Sequence, residues 1–380
     1  MEDRMTYLPV NWMDGMKINK DHFISNDQYM AEQMKQLCAA FLNPFNYGLL
    51  PTMHRDGPSL NMQTFLDNQG CVHIRVIRLS AVTRDGSRID IGNQDHGGDE
   101  LSALLPHLEF TPEQGNPESL YLCLSVNLHE RIPCGIPDAD EKPPRLPWAA
   151  PGFHLSVHTP GQKRSIAAGH SLIIGKLNFS GGKPVFDEGF IPACHAVVCH
   201  PALEEFYATL LKLLGQLEID VVDILRSIND KKQTTSIAAT VAAVSEAILG
   251  YLGNSLATLR VWGRYQPPLS LFGQLASLAR AINNSINKQP AADKEELYNY
   301  IEDWSNLKQG DFESMLRDTT ECNYDHDDIS LSVEKALQFI QAVSRIFNTL
   351  SNLNFIGKKK DRQIFVKEQK EKPGSSFLVD

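Results

Sequence analysis

The sequence predicts an α+β protein with two segregated parts. An N-terminal antiparallel β-sandwich-like domain is expected over residues 1–198, an α-helical bundle over 199–354 and a charged tail over 355–380. Three observations carry this. Before about residue 198, apolar residues alternate with polar ones between turn signals. After Pro201 the apolar spacing changes to sevens, and after about 355 the chain turns basic and ends in Gly, Ser and charge.

Residues 71–82, CVHIRVIRLSAV, set Val72, Ile74 and Val76 on one face against His73 and Arg75, the period of a half-buried strand. Asp85-Gly86 follows and suits a hairpin turn with positive φ. SLYLCLSVNL (119–128) alternates Leu120, Leu122, Leu124 and Val126 against Tyr121, Cys123, Ser125 and Asn127. GFHLSVHT (152–159) and SLIIGKLNF (171–179) read the same way, and Gly181-Gly182 marks another turn. The proline-rich stretch 131–151 is expected to be a loop or extended arm, because proline cannot continue a ladder. Many short strands separated by turns favour a sandwich or barrel-like domain.

In the C-terminal half, Leu203, Leu210, Leu217 and Ile224 fall seven apart, and Phe206 and Leu213 widen the stripe. Further helices are expected over about 234–256, 269–287 (opened by Pro267-Pro268) and 293–307. The last, about 330–351, carries Val333, Ile340 and Phe347 at heptad spacing, with acids placed to cap its start. Such seams suit a bundle or an inter-subunit coil.

Composition narrows the function. The 36 basic and 46 acidic residues give a net charge of −10, which argues against nucleic acid as the main partner. The N-terminus lacks a signal-peptide core, and the most apolar long stretch, 237–253, falls short of a bilayer span and reads as a buried helix. Seven cysteines without framework spacing suit free thiols in a reducing compartment.

Enzyme signatures fail. HERIP (129–133) has Pro133 where a zinc-protease helix needs histidine, and SGGKP (180–184) lacks the phosphate-loop spacing. CHAVVCH (194–200) offers Cys194, His195, Cys199 and His200 as zinc donors, but one short segment cannot wrap all four around an ion; buried thiols at a domain junction fit better. YDHDDI (324–329) offers Asp325, His326, Asp327 and Asp328, and helix capping is the simpler reading. No catalytic residue, metal ligand or cofactor is therefore assigned. A metal-dependent hydrolase built on His195, His200 or His326 stands as a rival.

The segment VNWMDGMKINKDHF (10–23) has Trp12, Gly15 and Met16, then His22 and Phe23, with Tyr29 after them. This pattern resembles the start of TssK, a baseplate component of type VI secretion systems. AVTRDGSRI, SLYLCLSVNL, Phe190-Ile191-Pro192, PPLSLFGQLASLARAI (267–282) and YDHDDISLSVEKALQFI (324–340) resemble the same family in the same order, over roughly residues 8–352. The resemblance implies a β-rich shoulder, a helical neck and a head. It implies a non-enzymatic homotrimer that is cytoplasmic, at an inner-membrane-docked baseplate. Its shoulders would bind TssF–TssG wedge proteins and its heads the cytoplasmic parts of a membrane complex, without membrane insertion. Trp12, Met13, Gly15, Met16, His22, Phe23 and Tyr29 become the wedge-facing segment, and the heptad residues the trimer or bundle neck. About thirty residues follow the last neck helix, too few for the family's head. A phage-like receptor- or carbohydrate-binding trimer is the other alternative, since the shoulders are related.

Overall fold

In the computed structural model the described residues are 7–51, 57–68, 70–92, 105–112, 119–137, 140–163, 169–180, 183–305 and 307–357. The expected Gly181-Gly182 turn and almost all of the charged tail lie outside them. The chain runs α1 (Lys20–Phe41), β1 (Gly48–Leu49), β2 (Leu60–Leu66), β3 (Val72–Val82), β4 (Arg88–Ile91), β5 (His107–Phe110), β6 (Ser119–Cys134), β7 (Trp148–His158), β8 (Ser171–Ser180) and β9 (Lys183–Phe186). The helices α2 (Pro201–Asp230), α3 (Ser236–Trp262), α4 (Leu269–Asn287), α5 (Ala291–Ser305), α6 (Gln309–Glu321) and α7 (Ser330–Ser351) follow. The α+β reading holds: sheets fill the N-terminal half and helices the C-terminal half.

Both sheets are antiparallel. In the first, β3 is the hub and pairs with β1, β2, β4 and β5; the second has the order β7-β6-β8-β9. The β3–β4 hairpin turns at Gly86, whose φ of +91° only glycine adopts without strain. Val72, Ile74 and Val76 share a core with Leu120, Leu122, Leu124, Leu172 and Ile174, and that core continues through Ile191, Ala193 and Leu203 into the bundle.

Three expectations change. The region before 198 is not all strand: α1 takes up 22 residues. The proline-rich stretch is only partly a loop. Ladder pairing of β6 and β7 resumes past a bulge, with Ile132, Pro133 and Cys134 opposite Ala150, Ala149 and Trp148. Pro133 is tolerated because β8 pairs only with Ser119–Ser125, so this end of β6 has one neighbour and its missing N–H faces no acceptor. Pro151 lies in the edge strand β7 and Pro184 in the opposite edge strand β9. Finally, β6 is buried on both faces: Tyr121 and Cys123 pack with Ile173 and Phe190 in a second small core.

The heptad residues are consumed within one chain. Leu203, Phe206, Leu210, Leu217 and Ile224 of α2 are buried, Leu213 is half-buried, and Val333, Ile340 and Phe347 of α7 complete the same core. Seven-residue spacing specifies a helical seam without specifying whose helix fills it. These side chains pack mainly within the chain's own bundle, with Leu213 half-exposed at its surface. α3 is long and apolar enough to cross a membrane by length and composition, yet Ile237, Val241, Val244, Ile248 and Leu252 pack inside the bundle.

The sheets and the bundle are clasped by YDHDDI. His326 is buried; its Nε2–H donates to the carbonyl of Tyr47 (3.0 Å), and its Nδ1 accepts from the Tyr324 hydroxyl (2.7 Å). Tyr47 in turn donates its hydroxyl to Asp327 (2.6 Å), and Tyr121 donates to Asp328 (3.1 Å). Lys163 pairs with Asp325. Alongside, Ile329 N–H bonds to the carbonyl of Ile191 (2.9 Å), and the Ser330 hydroxyl accepts from Ile191 N–H (2.8 Å). The acids expected to cap α7 do not do so, since its start at Ile329 has no side-chain cap bond; each carboxylate instead takes a different partner on the sheet side.

Burial pushes the His326 imidazole below its ordinary range, and burial does the same to His200. Both rings stay neutral when folded while the unfolded chain protonates them near pH 6.5, so stability is full above that value and declines below it. Each such group costs about 1.4 kcal/mol per pH unit in that window. Denaturant titrations at pH 7.5 and pH 5.5 are expected to give a lower unfolding free energy at the acid value, and a His326→Gln chain a shallower pH slope.

Candidate protein-docking surface

The N-terminal segment folds back on itself. Gly15, at φ +80°, reverses the chain, and Met16 N–H bonds to the carbonyl of Met13 (3.2 Å). Asn19 then caps α1: its side chain accepts from the N–H groups of Asp21 (3.1 Å) and His22 (3.2 Å), and His22 Nδ1 accepts from Asn19 N–H (3.2 Å). His22 is therefore a capping residue. The turn brings the Trp12 ring to 6.1 Å from His22 and 6.3 Å from Phe23, so these three sequence-selected residues form one aromatic cluster. Trp12, Met13 and Phe23 are exposed, while Met16 and Tyr29 are half-buried.

α1 is held to the sheets by a narrow contact. Lys35 pairs with Asp85 (2.9 Å) in the β3–β4 turn, and Arg131 with Asp27 (3.0 Å). A Cβ on Gly86 would lie 2.3 Å from the carbonyl oxygen of Lys35, so the helix backbone rests directly on this glycine. Burial and the bonds of Asp85 to Thr83 and Lys35 compete, and the bonds win, holding its carboxyl below the usual range.

No residue of α1 is buried. The opposite face presents Phe23, Met30, Met34, Leu37 and Phe41, of which Met34 is 62%, Leu37 63% and Phe41 77% exposed. Spacings of seven, four, three and four put them on one stripe, continued by Trp12, Met13 and Ile18. Met30, Met34, Leu37 and Phe41 were missed in the sequence; the spacing after the Asn19 cap was the available signal. A contiguous exposed apolar stripe is the usual mark of an interaction surface, and methionine and aromatic side chains adapt well to a partner.

The residues weighed for chemistry are used structurally. His195 Nδ1–H donates to the carbonyl of Asn46, and His200 caps α2 by accepting from Ala202 N–H (3.3 Å). Burial pushes the Cys199 thiol up to about 12 and that of the fully buried Cys194 well up too. Buried, protonated thiols are inert. Residues 129–133 lie in β6, not on a helix.

No family model matches this chain, and no curated protein matches it by sequence. Folds compare differently. A crystal structure of TssK superposes with a TM-score of 0.51 at 16% identity, covering 88% of this chain and 69% of that one. The chain has the TssK fold. A TssK structure from EAEC in complex with a nanobody gives a TM-score of 0.48 at 14% identity, covering 85% of this chain and 99% of that one. A type VI secretion TssK-TssF-TssG baseplate subcomplex, seen by cryo-electron microscopy, gives 0.48 at 14% identity, covering 89% and 99%. On the TssK fold, the segments behind the sequence resemblance fall at α1, the β3–β4 hairpin, β6 and the clasp between sheets and bundle.

Because Met34 and Leu37 are largely exposed, substituting them leaves the fold intact. Met34→Lys and Leu37→Glu are each expected to change the unfolding free energy by less than about 0.5 kcal/mol, measured by denaturant titration.

Proposed function

We propose that this chain is a structural component of a type VI secretion baseplate. On this reading it is a non-enzymatic homotrimer that joins TssF/TssG-like wedge proteins to the cytoplasmic side of a membrane complex. The observation that carries the proposal is the TssK fold over 88% of the chain. The resemblance of the N-terminal segment and of residues 324–340 supports it. So does the exposed stripe on α1, which a scaffold needs and a self-contained enzyme does not.

Within this reading, residues 1–198 act as the shoulder and 199–354 as the neck. Trp12, Met13 and Phe23 meet the wedge, with Gly15, Met16, His22 and Tyr29 shaping the segment that presents them. Each large apolar side chain buried at a partner contributes on the order of 1.5–3 kcal/mol, so a few suffice for a stable contact. The buried heptads stiffen each neck from within, and contacts between copies fall to surface residues.

Light scattering of the purified chain is expected to give a mass near three protomers; a monomer at micromolar concentration would remove the trimer. Co-expression with neighbouring wedge proteins is expected to yield a complex that a Trp12→Ala, Phe23→Ala chain fails to form while keeping its own mass. Unchanged co-purification would move the wedge surface elsewhere.

A further inference from the structure

β3 is the hub of its sheet, so each of its residues meets two neighbours. His73 stands opposite Phe65 of β2 and opposite Glu109 of β5. Phe65 stacks flat on the imidazole at 4.3 Å between centroids, and Nδ1 lies 3.1 Å from a Glu109 oxygen. The ring is clamped on one face by Phe65; in the tautomer that donates Nδ1–H to the nearer carboxylate, Glu109, Nε2 presents its lone pair. What Nε2 faces is a carboxylate oxygen of Asp67, 3.4 Å away. The second Asp67 oxygen is engaged by Cys71 N–H (2.8 Å), which sets the carboxylate's orientation. Cys71 lies two residues before His73 and projects on the same side of the chain.

In that tautomer the Nε2 lone pair and an Asp67 oxygen converge across 3.4 Å, an arrangement that a metal ion bound between them would satisfy. That distance exceeds a good N–H···O bond, which runs about 2.7–3.2 Å. It matches the edge of a tetrahedron, because zinc bonds of about 2.0–2.3 Å place neighbouring donors roughly 3.3–3.6 Å apart. The donor atoms of Asp67, Cys71 and His73 all lie within 4.8 Å of one another, and among the described residues no other trio of such ligands does so.

We propose that Asp67, Cys71 and His73 form a zinc site at the tip of the β2–β3 hairpin. One sulfur, one nitrogen and one oxygen suit a borderline transition metal; magnesium and calcium take oxygen alone. Binding releases the Cys71 thiol proton to solvent and leaves a thiolate on the metal. Three protein ligands leave the fourth position to water. Glu109 completes the carboxylate–histidine–metal arrangement that orients a ligating ring. The bound ion would tie the hairpin tip to β5, and this holds whether or not the chain serves a baseplate.

The test uses the full chain, stripped with chelator and titrated with Co²⁺. One equivalent per chain is expected, with a thiolate-to-cobalt charge-transfer band that added Zn²⁺ abolishes. Cys71→Ser is expected to lose that band and Cys38→Ser, at an exposed thiol on α1, to keep it. Glu109→Gln is expected to weaken binding roughly 10- to 100-fold. A readout needing no variant is alkylation mapped by mass spectrometry: Zn²⁺ should protect Cys71 and leave Cys38 reactive. Absence of the band in the unaltered chain, its survival in Cys71→Ser, or alkylation of Cys71 unaffected by Zn²⁺ would each overturn the site.

Discussion

The grip of His326 and Asp327 on Tyr47 is the interaction on which the rest of the molecule depends. Tyr47 precedes β1, and the clasp precedes α7, 279 residues later than the carbonyl it binds. The same few bonds close the sheets against the bundle. The clasp centres on buried His326 and Tyr47 and runs out to exposed Asp325; its inner polar groups must be satisfied together, because a half-made network there would cost more than an apolar joint. Five partners on the sheet side, Tyr47, Tyr121, Lys163, Lys176 and Ile191, meet it. That redundancy suits a joint carrying load between two differently built halves.

The heptad seams show how stiffness and association can be separated. Apolar side chains that could have joined copies are spent inside the chain, so the bundle is solid before any partner arrives. The exposed α1 stripe lies apart from that core, so its residues can be exchanged without loosening the bundle.

Much of the architecture was legible. Strict alternation exposed β3, Asp85-Gly86 marked its hairpin, and Pro267-Pro268 placed α4 over 269–287, as found. The failures have physical causes. α1 was hidden because its apolar stripe faces outward and its inner face is small and polar, the reverse of an ordinary amphipathic helix. α6 buries only Phe312 and Leu316, too little to show a period. Tyr121 and Cys123 looked solvent-facing because what covers them arrives from distant sequence. Of the candidate surface, Trp12 and Phe23 were visible as residues; their meeting around the Gly15 turn was not. Asp67, Cys71 and His73 drew no notice because strand pairing, not spacing, assembles them.

The prolines of the four-stranded sheet bear on the aggregation risk that so much exposed apolar surface carries. Its two outer strands, β7 and β9, carry Pro151 and Pro184, each removing an amide hydrogen from the rim. An incoming strand finds an interrupted row of donors and cannot zip on. Growth into fibrils by edge-to-edge pairing is thereby discouraged.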